Sequence, residues 1–115
     1  MSHRRRNGTI AKLQAGAPAF FALGDETRLS LIAKLCDGKP HSISQLTEGS
    51  RLTRQAITKH LRVLKCAGIV SARRSGRERL FNFEPQPIRE IKQYLDFVSG
   101  QWDQALSRLK VFVED

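Results

Sequence analysis

The spacing of apolar positions along this chain switches from helical to alternating and back, and each switch marks an element. Ile10, Leu13, Ala17, Phe20 and Phe21 recur at helical spacing and predict a short first helix reaching Leu23. Gly16 and Pro18 interrupt it, so a break or late start is expected there. A second helix is predicted to open at Asp25, a favourable N-cap, with Glu26 in its first turn. Leu29, Ile32 and Leu35, with Leu31 beside them, are expected to form its buried face, and Asp37-Gly38 to end it. Beyond the Lys39-Pro40 connector, Ser42 or Ser44 caps a third helix through about Glu48, with Ile43 and Leu46 inward. Gly49-Ser50 makes a turn, and Thr53 caps a fourth helix that runs to Cys66 or Ala67 and stops at Gly68. Two short helices across a tight turn form a helix-turn-helix pattern.

The period then drops to two. Ile69 to Arg74 and Arg79 to Glu84 are β-prone runs separated by Ser75-Gly76-Arg77-Glu78, in which Gly76 can supply the positive φ of a tight hairpin. Phe81 and Phe83 alternate with Leu80, Asn82 and Glu84, leaving one dry face. After Pro85 and Pro87 a long helix is predicted over about 87–113, with Ile88, Ile91, Leu95, Val98, Trp102, Ala105, Leu109 and Phe112 in a 3-4 repeat. At 1.5 Å per residue it would extend about 40 Å, more than one small domain needs. Ile91, Leu95, Val98, Trp102 and Leu109 are therefore expected in a dimer interface, the other reading being a core helix within one subunit. The fold class is mainly α (α+β): a winged helix-turn-helix with about five helices and a two-stranded hairpin. Residues 10–115 are expected to form one domain, behind a polar, basic and disordered tail over 1–9.

Charge gives this pattern a direction. The formal charge of the 115-residue chain is +9. From Arg51 through Leu80 stand nine basic residues against one acid, Glu78, while the remainder is nearly balanced. So segregated a patch is the electrostatic footprint of a polyanion partner, whereas an ordinary solvated face mixes both signs. Wound at 100° per residue, the fourth helix (about 53–67) puts Ile57, Leu61 and Leu64 on one face. Gln55, Thr58, Lys59 and Arg62 fall on the other, with Arg54 on the flank. Arg54, Gln55, Thr58 and Lys59 are the candidates for reading base edges of double-stranded DNA. Arg62 and Lys65, further along, suit phosphates. Arg73, Arg74, Arg77 and Arg79 ring the hairpin tip (wing about 69–84) and suit the minor groove or backbone. The chain has no run of the ~18 apolar residues that a membrane helix needs. Its start lacks a secretory segment, and its two cysteines make no disulfide framework, so a reducing cytoplasm is expected.

In this order, LGDETRLSLIAKL followed by LTRQAITKHLRVLKCAGIVSARRSGRERLFNF resembles the ArsR (arsenic-repressor-type) winged-helix transcriptional regulators, over about Phe20 to Glu84. The resemblance is carried by the Asp25-x-Thr27-Arg28 helix start, the His60-Leu61 pair with Leu64 and Ala67-Gly68, and Gly76-Arg77 in the wing. Glu26 stands where many relatives carry proline, a harmless change at a first helical position. The family implies a homodimer held by its first and last helices, which adds Phe20 and Phe21 to the interface. It also implies a roughly palindromic promoter operator, repression by occlusion, and His60 as helix scaffolding. The ligands of the metal-sensing relatives are missing. SISQLTEGS stands where a Cys-x-Cys pair would be needed, and no histidine follows Pro87, although Asp96 and Asp103 are present. His3, His41 and His60 have no ligand spacing, so neither metal nor cofactor is expected, and the inducing signal stays open. Cys36 and Cys66 are expected to be semi-buried packing residues. A thiol switch, needing Cα atoms within ~7 Å, is an alternative, as is a sequence-indifferent architectural nucleic-acid binder. An enzyme is excluded by the lack of a phosphate loop, paired catalytic carboxylates or a nucleophile elbow.

Overall fold

Short-range chemistry decides where the helices begin. The computed structural model describes residues 11–12 and 14–114, so the tail over 1–9 and the positions Ile10 and Leu13 lie outside the described residues. Helix α1 (Ala17–Leu23) carries Pro18 in its first turn, where a missing N–H is no loss. Residues 11, 12, 14 and 15 are helical as well and Gly16 forms a turn, so of the break or late start expected from Gly16 and Pro18 the structure shows the break. Helix α2 (Glu26–Leu35) is capped by Asp25, whose carboxylate accepts the Arg28 amide at 3.0 Å. Ser42, rather than Ser44, caps α3 (Ile43–Thr47) in a reciprocal box. Its hydroxyl accepts from the Gln45 amide at 3.2 Å, while Gln45 Oε1 accepts from the Ser42 amide at 2.9 Å. Thr53 caps α4 (Arg54–Cys66) through the Ala56 amide. Lys34 Nζ reaches from α2 to the carbonyls of Leu46 and Glu48, both at 3.1 Å, and so ties α2 to the end of α3. The turn from α3 into α4 passes through Gly49 at φ +77°, a conformation that penalises any Cβ.

Three strands form the sheet. β1 (His41–Ser42) pairs antiparallel with β3 (Glu78–Phe83), which pairs antiparallel with β2 (Val70–Ser75), giving the order β1-β3-β2. The expected two-stranded wing therefore gains an inner strand, with His41 opposite Phe81 and Ser42 opposite Leu80. Two residues are too few to show an alternating pattern, and their partners lie far along the chain. The wing turn is also tighter than the four residues expected. Ser75 pairs with Glu78, and Gly76 (φ +63°) and Arg77 alone make the corner.

One core joins these parts. Leu31, Leu35, Leu46, Ile57, Leu61, Leu64 and Ile69 are almost wholly buried, with Val70 and Phe81 from the sheet. Leu29, expected inside, is exposed. The inward face of α2 is Arg28, Leu31 and Leu35, and Leu29 lies more than a quarter-turn round the helix from it. Among the described residues, the final helix, α5 (Gln86–Glu114), packs into the core through its first turns. Ile91, expected at a dimer interface, is instead 6 % exposed inside the protomer core. Ile88 packs beside it, and Tyr94 meets Phe20 edge to face at 5.4 Å. Further on the helix projects from the body. The molecule measures 67 × 34 × 22 Å with a radius of gyration of 19.1 Å, against about 13–14 Å for a compact chain of this length.

Candidate nucleic-acid interface

Helix α4 is bound by its apolar stripe and shows its polar arc to solvent. Ile57, Leu61 and Leu64 are buried, whereas Arg54, Gln55, Lys59, Arg62 and Lys65 are exposed. Thr58 is half-buried, and its hydroxyl donates to the Arg54 carbonyl at 2.7 Å. That proton is used within the helix, so only the methyl group and the oxygen lone pairs remain for a ligand.

The start of α4, the wing and α3 together enclose an open groove of about 830 Å³. Arg54, Arg73, Arg74, Arg77 and Arg79 line it, with Ser42, Ile43, Ser44, Ala72 and Glu78. The structure thus gathers Arg54 with all four wing arginines, while Gln55, Thr58, Lys59, Arg62 and Lys65 extend along α4 beyond the groove lining. Ser44 was not anticipated as part of this surface. Its only sequence signal was as a candidate cap, a duty that Ser42 performs. Among the described residues none of these five arginines, nor Glu78, makes an ion pair. Among the described residues their charge is thus not paired off, and a concave wall with five arginines against one acid concentrates positive potential. Arg79 also lies over the Phe81 ring at 5.9 Å, which steadies it on the sheet.

Behind this surface sits a contact that sequence reasoning passed over. Arg28, only 9 % exposed, donates through Nε to the Ala22 carbonyl at 2.7 Å and through Nη2 to the Phe21 carbonyl at 3.2 Å. Its Nη1 lies 3.2 Å from His60 Nδ1 on α4, and its guanidinium stacks at 5.3 Å from the Phe21 ring. The Asp25 carboxyl is held below its ordinary pKa, first by the Arg28 backbone N–H and further by the positive charge of Arg28, against the opposing effect of burial. Asp37 is likewise lowered, by the Lys39 backbone N–H and then by the His41 ring, whose Nε2 sits 2.9 Å from its carboxylate.

The remaining expected sites separate. Cys36 and Cys66 are both exposed free thiols rather than semi-buried packing residues, because each falls on the outward arc at the last turn of its helix. Among the described residues no three His, Cys, Asp or Glu side chains come together as metal ligands would. No helix among them is long and apolar enough to cross a membrane. On the projecting part of α5, Leu95, Trp102, Leu106, Leu109, Phe112 and Val113 are exposed, and Val98 is half-buried. Phe21 is exposed, and Phe20 is half-buried against Tyr94.

A helix-turn-helix backed by a three-stranded sheet, with a basic hairpin beside its second helix, defines a winged-helix DNA-binding protein. Comparison with known proteins narrows the class. The family described as "Bacterial regulatory protein, arsR family" matches residues 25–72. The chain is 36 % identical over 78 residues to the HTH-type transcriptional regulator YuzN of Bacillus subtilis (strain 168), covering 63 % of this chain and 85 % of that protein. It is 32 % identical over 89 residues to the HTH-type transcriptional regulator Rv2034 of Mycobacterium tuberculosis, covering 77 % and 79 %. The HTH-type transcriptional repressor SmtB of the same species is 27 % identical over 94 residues, covering 82 % and 67 %. Among solved structures, an ArsR-like transcriptional regulator from Rhodococcus sp. RHA1 superposes with a TM-score of 0.77 at 33 % identity, over 93 % of this chain and 94 % of that one. The chain belongs to the ArsR family of transcriptional regulators: it acts by binding DNA, not by catalysis.

Proposed function

We propose that the protein is a repressor that pairs with a second copy through α1 and α5 and reads a roughly palindromic operator. The observation that carries this reading is the separation of two unsatisfied surfaces. An arginine-lined groove opens beside the start of α4, and an apolar stripe runs along the projecting half of α5. The first calls for a polyanion and the second for an apolar partner, and a symmetric dimer on DNA supplies both. Arg54, Gln55, Thr58 and Lys59 then face base edges in the major groove. Arg62 and Lys65 hold phosphates, while Arg73, Arg74, Arg77 and Arg79 follow the backbone or the adjacent minor groove. Phe21, Leu95, Val98, Trp102 and Leu109 form the subunit contact, with Phe20 supporting it from beneath. The repressor named SmtB among the relatives supports the direction of regulation, and such a protein would work in the cytoplasm, where the promoters are.

The test is selection of bound duplexes from a random pool, followed by footprinting. Two related half-sites about 10–10.5 base pairs apart, centre to centre, are expected. Absence of any enriched sequence, with equal affinity for all duplexes and a steep salt dependence, would mean a phosphate-only binder.

A further inference from the structure

The apolar stripe of α4 fixes how deep the helix sits but has little say in how it is rolled about its own axis. Leucine and isoleucine packing is non-directional, and a helix with side chains is about 10–12 Å across. A roll of ~10° therefore moves a side-chain tip by about 1 Å, enough to spoil hydrogen bonds that require 2.7–3.2 Å. A directional contact at the edge of the stripe would remove that freedom, and His60 stands at this edge. It is on the flank opposite Arg54, half-buried, with Nδ1 3.2 Å from Arg28 Nη1.

A guanidinium carries donors and no acceptor, so a hydrogen bond between this pair requires Nδ1 to present its lone pair and the ring proton to sit on Nε2. In that tautomer the Asp25 carboxylate, with Oδ2 3.6 Å from Nδ1, pairs with the buried guanidinium's charge and not with the ring. Arg28 is itself immobilised by the carbonyls of Phe21 and Ala22 at the α1–α2 corner, and Asp25 by the Arg28 amide. The contact to His60 therefore ends on a fixed frame, not on a floppy side chain.

We infer that Arg28 and His60 are positioning residues for DNA reading: their hydrogen bond sets the roll of α4, and with it the aim of Gln55, Thr58 and Lys59. The inference rests on the operator reading given above. It separates discrimination from affinity, since phosphate contacts tolerate a small roll and base-edge contacts do not.

The experiment compares the selected duplex with a scrambled duplex of the same composition, using the full-length protein and two substitutions. His60→Leu removes the acceptor, whereas His60→Asn keeps one near the place of Nδ1. His60→Leu is expected to lose about tenfold on the selected duplex, the scale of one good base contact, and less than about threefold on the scrambled one; His60→Asn should stay near wild type on both. Should His60→Leu melt below the assay temperature, His60→Gln, whose amide reaches past the Nδ1 position, takes its place. Equal losses on both duplexes, no loss at all, or an Asn variant as impaired as Leu would each overturn the role. Independently of any DNA, long-range 15N–1H correlation of the wild-type protein should show the His60 proton on Nε2, and a proton on Nδ1 at neutral pH would overturn the contact itself. Failure of the operator reading is distinguishable, because wild type would then fail to discriminate the two duplexes before any variant is made.

Discussion

Trp102→Ala is expected to break the proposed dimer while sparing the fold of each subunit. Trp102 is 65 % exposed on the projecting half of α5. An aromatic side chain can bury roughly 150–250 Å², so about 100–160 Å² per subunit is left bare. At ~25 cal/mol per Å² this corresponds to about 2.5–4 kcal/mol per subunit, roughly twice that for a symmetric pair if the partner covers it completely. Half-coverage, with alanine retaining a little, leaves about 3 kcal/mol, or on the order of a hundredfold in the dimer dissociation constant. Leu95, Leu106, Leu109 and Val113 lie along the same exposed stripe, so the tryptophan would sit inside a continuous contact rather than at its rim. Sedimentation equilibrium across the micromolar range measures the constant directly. Because the chain has a single tryptophan, its emission in the wild type should also shift to the red as dilution drives dissociation. A variant with the wild-type constant, or an emission indifferent to dilution through the transition, would refute the placement of this face.

Arg77→Ala should weaken selected and random duplexes alike and reduce the slope of log affinity against log salt by about 0.9, the mark of one lost phosphate contact. Gln55→Ala should instead relax the preference at one base position of each half-site, by about 1–3 kcal/mol of discrimination, as read by competition with single-substituted duplexes. Stability should fall on acidification. Asp25 and Asp37 have folded-state pKa values below their unfolded ones, so their contribution is complete above the unfolded value near ~3.9 and is lost as pH drops through the folded value. Melting temperatures between pH 6 and pH 2 should show this decline, and Asp25→Asn should flatten part of it; an unchanged profile would remove the cap from the account.

Much of this architecture could be read from the chain because its signals are local. An N-cap acts on the amide three residues ahead, so Asp25 and Thr53 are visible as spacing before any fold is known, whereas Ser42 and Ser44 compete as caps until the Gln45 side chain is seen to return to the Ser42 amide. The stripe Ile57, Leu61, Leu64 and the alternation around Phe81 are likewise periodicities of single elements. Strand β1 could not be found in this way, because His41-Ser42 is too short to have a period and becomes a strand only by pairing with Phe81 and Leu80. Arg28 failed for the same reason. Its partners are two carbonyls of the preceding helix and a ring thirty-two residues on, so its burial depends on how α1, α2 and α4 meet. A cation on an otherwise apolar face reads as a solvated residue until that corner exists.

Helix α5 shows how one uniform pattern can serve two environments. From Ile88 to Phe112 the repeat is unbroken, and nothing in it distinguishes Ile91 from Leu95. What separates them is where the body ends. Helix α1 lies against the first turns, so Ile91 is sealed by the subunit's own core, while one helical turn later Leu95 is half uncovered. A continuous stripe with only its first third buried locally is what a helix needs if it must be anchored in one subunit and grip another. The anchored third shares α1 with the corner where Arg28 holds His60. Subunit pairing on α1 and α5 would thus press on the same frame that aims the DNA-facing helix, through the core that α1 and α4 share and through the buried Arg28 guanidinium at its edge.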